Sequence, residues 1–274
     1  MCIRDRFKTD DRIVDIAMGV SFFIAFMYAA MMIFDPDVLL MRYDDPSTNP
    51  DIDTLKVFLF WFGVANAGMI TGIIYMGYKG LDRAFFAFAV PFLAFGIYWN
   101  ITPAQNSGNY AGIIMVSIGL LGLIIARARS GLPRNPFDIP KADSYFGTDD
   151  MVTKVLLFLG LIGNTFNVVI YFIRPEGLIE DSPFLIMSAE AQYFSMAMMF
   201  ISLSWVLTLL YQMRAGYSMT MIVVGLMQST LMFVGMLNFM IRNNFSGDDG
   251  NSLLGLFITT FFIGSVILFF RNQT

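Results

Sequence analysis

Apolar residues gather along the chain into eight blocks, at 13–34, 55–77, 84–101, 111–126, 151–173, 191–212, 218–241 and 252–270, with polar or proline-containing interruptions between them. A helix needs about 20 apolar residues to cross the hydrocarbon of a bilayer. The blocks reach or approach that length, the third and fourth being somewhat short. The pattern predicts an all-α polytopic membrane protein with eight transmembrane helices. The first block is too long for the 7–15-residue apolar region of a signal peptide, and its counterpart at 151–173 lies in mid-chain, so it is counted as span 1.

Composition agrees. With 57% hydrophobic residues, 29 Phe, 21 Met and 14% charged residues, the 274-residue chain has more apolar surface than one soluble core could hide. A net charge of −4, with basic residues in short clusters beside the spans, gives no basic stripe of the kind that binds nucleic acid. There is no His, and Cys2 is the one Cys, so haem ligation by His, imidazole metal sites and an internal disulfide are excluded. The lead-in Met1 to Arg6 is polar and carries no chemistry.

The blocks fall into two consecutive sets of four. After span 1 the chain reads Asp35-Pro36-Asp37-Val38-Leu39-Leu40, and after span 5 it reads Arg174-Pro175-Glu176-Gly177-Leu178-Ile179, a helix-stopping Pro, an acid and an aliphatic pair each time. Lys79 and Arg214 follow the second span of each set, Asn100 and Asn238 lie late in the third, and a Gly with a closing Arg marks the fourth, Gly119 with Arg127 and Gly264 with Arg271. An even number of spans per unit gives both units the same direction in the membrane, related by an axis near its normal. The expected architecture is two tandem parallel four-helix bundles: a repeat at 1–128, a linker at 129–150 and a repeat at 151–274. The linker, with Pro133, Pro136 and Pro140, shows no helical or strand periodicity.

This pattern resembles the DoxX-like and related uncharacterised four-helix membrane families, and two such units would cover nearly the whole chain. The resemblance implies no catalytic residue set. Some members of these families are small subunits of membrane quinone-linked oxidoreductases, and by that resemblance this chain would be a partner in such chemistry rather than its centre.

Inside the spans the informative side chains are amides and hydroxyls, because each costs free energy in hydrocarbon unless it finds a partner. No Asp, Glu, Lys or Arg falls at a span centre; Asp15, Lys56, Lys154 and Glu190 sit at span starts. The candidates for ligand binding or helix packing are Asn66, Asn164, Asn167, Ser204, Gln228, Asn100 and Asn238. Asn164 and Asn167 are three apart and face nearly the same way, beside Gly160 and Gly163. Interhelical hydrogen bonding is the plain account of all seven, and a polar lining to a cavity between the repeats is the sharper one. Gly68 and Gly72 form a G-x-x-x-G that favours close helix approach. Met232, Met236 and Met240, spaced by four, with Met196 and Met199, read as soft packing rather than a copper site without Cys or His to strengthen it.

The acids of the 35–54 loop lack the spacing of a calcium loop and read as solvated. The Asn244-Phe245-Ser246 sequon matters only in a glycosylating host. No metal or cofactor is identifiable; a lipid or quinone is the one ligand class expected. The functional expectation is a non-catalytic accessory or structural subunit that binds a lipid or quinone-like ligand between its repeats, in contact with membrane lipids and other membrane subunits. A small-solute transporter or channel is the alternative, and a lipid-modifying enzyme using Asp35, Asp37 and Glu176 is the second.

Orientation follows from the basic residues. Thirteen of the 17 Lys and Arg lie on the side that holds both termini; the other side carries Arg42, Lys56, Arg174 and Arg242 against twelve acidic residues. By the positive-inside rule both termini are cytoplasmic. Single cysteines introduced after Cys2→Ser should be labelled from outside near residues 45, 105, 180 and 246, and from inside near 80, 140 and 215. Labelling of 45 and 140 from one side would refute this topology.

Overall fold

The computed structural model describes residues 11–37, 52–101, 110–127, 139, 141–173, 189–242 and 249–272. Cys2, the Pro175 segment, the loop beyond Asp37, Asn244 and most of 129–140 lie outside the described residues. The described elements are α1 (Arg12–Phe34), α2 (Ile52–Lys79), α3 (Ala84–Ile101), α4 (Tyr110–Arg127), a 3₁₀ turn (Tyr145–Gly147), α5 (Met151–Ile173), α6 (Ala189–Ala215), α7 (Met219–Arg242) and α8 (Asp249–Arg271). Each apolar block therefore became one helix.

The chain is an all-α, multi-pass membrane protein. Among the described residues, α1, α2, α5, α6 and α7 are long and apolar enough to cross a membrane, and α3, α4 and α8 carry shorter apolar stretches. Many large apolar residues point outward. On α1, Ile13, Ile16, Val20, Phe23 and Met27 point outward at helical spacing while Val14, Met18, Ser21, Ala25 and Met32 point inward. On α5, Leu159, Ile162, Phe166 and Val169 form the same kind of outward stripe. Large apolar faces of this kind are costly in water and cost nothing against lipid tails.

Within the first half α1 packs on α2 and α4, and α3 packs on α4; within the second half α5 packs on α6 and α8, and α7 packs on α8. The halves are joined by α2 on α7, α3 on α6, α2 on α6 and α3 on α7. The α3–α6 contact is aromatic, with Phe88 edge-on to Trp205 at 5.1 Å and Phe95 stacked on Phe200 at 4.7 Å. The α2–α7 contact depends on small residues, since a Cβ on Gly68 would lie 2.4 Å from Gln228 Cγ and one on Gly72 2.6 Å from Val224 Cγ2. The G-x-x-x-G is used for packing.

Two turns are built alike. After α2, Gly80 (φ +111°) donates its N–H to Met76 O, and Asp82 accepts from Ala84 N at 2.8 Å to cap α3. After α6, Gly216 (φ +106°) donates to Gln212 O, and Ser218 Oγ accepts from Met221 N at 3.1 Å to cap α7. The Ser218 hydroxyl donates to the Asp82 carboxylate, so the two caps meet. This Gly-x-cap correspondence aligns Gly80 with Gly216, one residue out of step with the pairing of Lys79 and Arg214 read from the sequence.

The end of the supposed linker is tightly docked. Ala142 N donates to Arg214 O at 2.8 Å, Tyr217 N donates to Phe146 O at 2.7 Å, and Phe146 is 0% exposed against Leu157 and Leu209. Phe146 takes φ +60°, a left-handed conformation unusual for a bulky residue, which these contacts hold in place. Asp150 then caps α5 through Thr153 N at 3.0 Å and forms a fork with Arg271 at 2.7 and 2.8 Å, tying the start of α5 to the end of α8. Hydrogen bonds from Arg271 and then Thr153 hold the Asp150 carboxyl far below the usual carboxylate range. The sequence lacked periodicity here because one aromatic side chain, not a helix face, makes the contact. Phe146→Ala should cost about 3–5 kcal/mol of stability, read as an earlier thermal transition in detergent; an unchanged transition would show that the segment is not seated on α5 and α6.

Candidate functional site

The polar groups of the spans divide into those spent on packing and those beside open space. Gln228 belongs to the first kind. Its Oε1 accepts from Trp205 Nε1 at 2.9 Å and its Nε2 donates to Ala65 O at 3.2 Å, so one buried side chain ties α7 to α6 and to α2. Ser204 is fully buried and donates to Phe200 O at 2.9 Å. Asn66 is buried, its Nδ2 3.8 Å from Met32 Sδ on α1. Asn100 donates to Gly96 O at 2.7 Å and lies against Gly112 of α4.

Asn164 is the second kind. It is buried and its Nδ2 donates to Gly160 O at 2.8 Å within its own helix, and it lines a cavity of about 130 Å³ among α5, α6, α7 and α8. The walls are Leu156, Leu157, Leu209, Phe261 and Leu268, with room left by Gly160, Gly163, Gly225 and Gly264. Asn167, one turn further on, is partly exposed, and its Oδ1 is buried without a hydrogen bond. It is not part of the cavity wall. Asn238 is exposed on α7, on the same outward face as Val234, and contributes to neither packing nor cavity.

A smaller cavity lies in the first half. There Met32, Phe62, Asn66, Phe92 and Met115 leave about 10 Å³. The larger cavity thus lies inside the second half, whereas the sequence placed a ligand between the repeats, where Gln228 and the α2 glycines are in close contact.

Three polar cavity residues, Gln212, Thr260 and Ser265, escaped the sequence reading. Gln212, buried, accepts from Ser218 N at 2.8 Å through Oε1, and Ser265, buried, donates to Phe261 O at 2.8 Å. Gln212 looks from sequence like a residue leaving the membrane, and Ser265 like any helical Ser. Of the acids considered for catalysis, Asp37 pairs with Lys56 at 2.8 Å. Among the described residues no cluster of three or more His, Cys, Asp or Glu could hold a metal.

No protein-family model, curated protein or solved structure matches this chain.

The geometry separates Gln228 from Asn164. Gln228→Leu removes two interhelical bonds and should lower stability by about 1–3 kcal/mol. Asn164→Leu removes a bond internal to α5 and should change stability by less than about 1 kcal/mol. Thermal unfolding of both variants in one detergent checks this, and equal losses would refute the distinction.

Proposed function

We propose that this chain is a non-catalytic accessory subunit of a membrane assembly, built from two parallel four-helix units, and that it holds a hydrophobic ligand, a lipid or quinone-like molecule, in its second unit. The observation that carries the reading is how the polar groups of the spans are used: Gln228 bonds to Trp205 and to the backbone of α2, Ser204, Asn100 and Asn164 bond to backbone carbonyls of their own helices, and none of these bonds involves an acid, a base or a nucleophile. Gln228 fixes helix packing, and the space beside Asn164 is lined mostly by apolar residues.

The packing pairs support the parallel repeat. Replacing α1, α2, α3 and α4 by α5, α6, α7 and α8 turns each contact within one half into a contact within the other, and turns α2 on α7 into α6 on α3. The Asp82–Ser218 contact between matched turns falls where an axis between the units would pass. The excess of Lys and Arg on the side of the Gly80 and Gly216 turns supports a cytoplasmic position for that side. The DoxX-like resemblance fits a partner of quinone-linked chemistry, with the redox centre on a neighbour, since this chain has no His and one Cys.

Permeation is disfavoured by the Phe146 segment, which packs on Leu157 and Leu209 at the linker-side end of the cavity. Native mass spectrometry after extraction in a mild detergent should find the chain with a membrane protein partner and with retained lipid or quinone. A bare monomer free of both would remove the reading.

A further inference from the structure

We infer that the cavity among α5–α8 receives one acyl chain of a bilayer lipid through a lateral opening between α5 and α8. The inference deepens the ligand part of the proposed function, on which it rests, by naming the chemistry and the path.

The opening is marked by two cavity residues that are also exposed, Leu159 on α5 (54% exposed) and Thr260 on α8. Leu159 belongs to the outward apolar stripe of α5, so the cavity is continuous with the lipid-facing surface. At the linker-side end the way in is closed, because Phe146 forms a buried cluster with Leu157 and Leu209, Leu268 packs against that cluster, and all three leucines line the cavity. A chain has to arrive sideways, from the leaflet next to the Asp150–Arg271 fork.

The contents follow from the walls. The polar groups are few and partly engaged: one N–H of Asn164 bonds Gly160 O, the Ser265 hydroxyl bonds Phe261 O, and Gln212 Oε1 accepts from Ser218 N. Most of the lining is Leu, Ile, Met, Phe and Gly surface, which suits an acyl chain better than a head group or a quinone ring. A volume of about 130 Å³ is close to that of the roughly 150 Å³ apolar cavity known to take one benzene ring, room for about six carbons. That fits a segment of chain and is well under the roughly 300–1,000 Å³ of a typical small-molecule site. An unfilled apolar space also forfeits dispersion contacts along its lining, which a lipid tail from the adjoining bilayer restores.

Trp205 lines this cavity and is 8% exposed, which supplies a probe. In a Trp61→Phe, Trp99→Phe variant, Trp205 is the one indole, and the protein is reconstituted into phosphatidylcholine vesicles brominated at mid-chain. Most Trp205 emission should be lost relative to unbrominated vesicles. Gly264→Leu should restore it by filling the space, since a Cβ there meets only Leu156 Cδ2 at 3.6 Å. Gly160→Leu, whose Cβ meets only Leu209 Cδ1 at 3.6 Å, gives the same test from the opposite wall should the first variant fail to fold. Trp205 emission that stays bright in brominated vesicles, or quenching that survives both fillers, overturns the inference. Relief of quenching by a small mole fraction of an unbrominated polyprenol assigns the space to an isoprenoid and overturns the acyl assignment. If Trp205 stays bright while native mass spectrometry still finds bound lipid, the chain-in-cavity inference alone fails. If no ligand is retained either, the ligand reading falls with it.

Discussion

Gln228 is the point on which the assembly of the two halves turns. A carboxamide can donate and accept at once, and here it does both across helices, taking the indole N–H of Trp205 and giving a proton to the backbone carbonyl of Ala65. The geometry is possible only because Gly68 lets α7 approach α2 until the Gln228 stem occupies the place of a missing Cβ. In hydrocarbon there is no water to replace either bond, so the amide, the indole and the two glycines form one unit. The edge-on contact of Phe88 with Trp205 and the stack of Phe95 on Phe200 then set α3 against α6 beside it.

The two halves differ in how they fill their interiors. In the first, Phe62, Phe92 and Met115 crowd Asn66 and leave a cavity of about 10 Å³ beside it; in the second, Gly at 160, 163, 225 and 264 leaves about 130 Å³ beside Asn164. With no hydrophobic force between helices in lipid, packing has to come from contact area. The second half compensates at its end rather than its middle, through Phe146 beneath α5 and α6 and through the fork of Asp150 and Arg271. These close one end of the cavity while its side remains in contact with the bilayer.

Much of this was legible in the chain. The eight helices follow from hydropathy, and their described ends lie within three residues of the apolar blocks. Burial of Asn66, Asn164, Ser204 and Gln228 followed from the cost of a bare amide or hydroxyl in lipid. Asn238 did not follow, because a position near a helix end can reach water and so carries no such constraint. The contact of Asp82 with Ser218 spans 136 positions and involves one ordinary residue from each turn, a pairing no local period encodes. The cavity was invisible for a related reason: it consists of side chains that are absent, and the glycines that make it resemble those at Gly68 and Gly72 that bring helices together.

Ala65 and Gln228 are separated by 163 positions. During synthesis α2 therefore enters the membrane long before α7 exists, with the groove over Gly68 and Gly72 facing lipid. The first half is thus committed to wait, since its central helix acquires its partner only when the chain is four-fifths made. Contacts this distant in sequence are slow to form and leave intermediates exposed. The α2–α7 contact therefore closes only after most of the second half has been made.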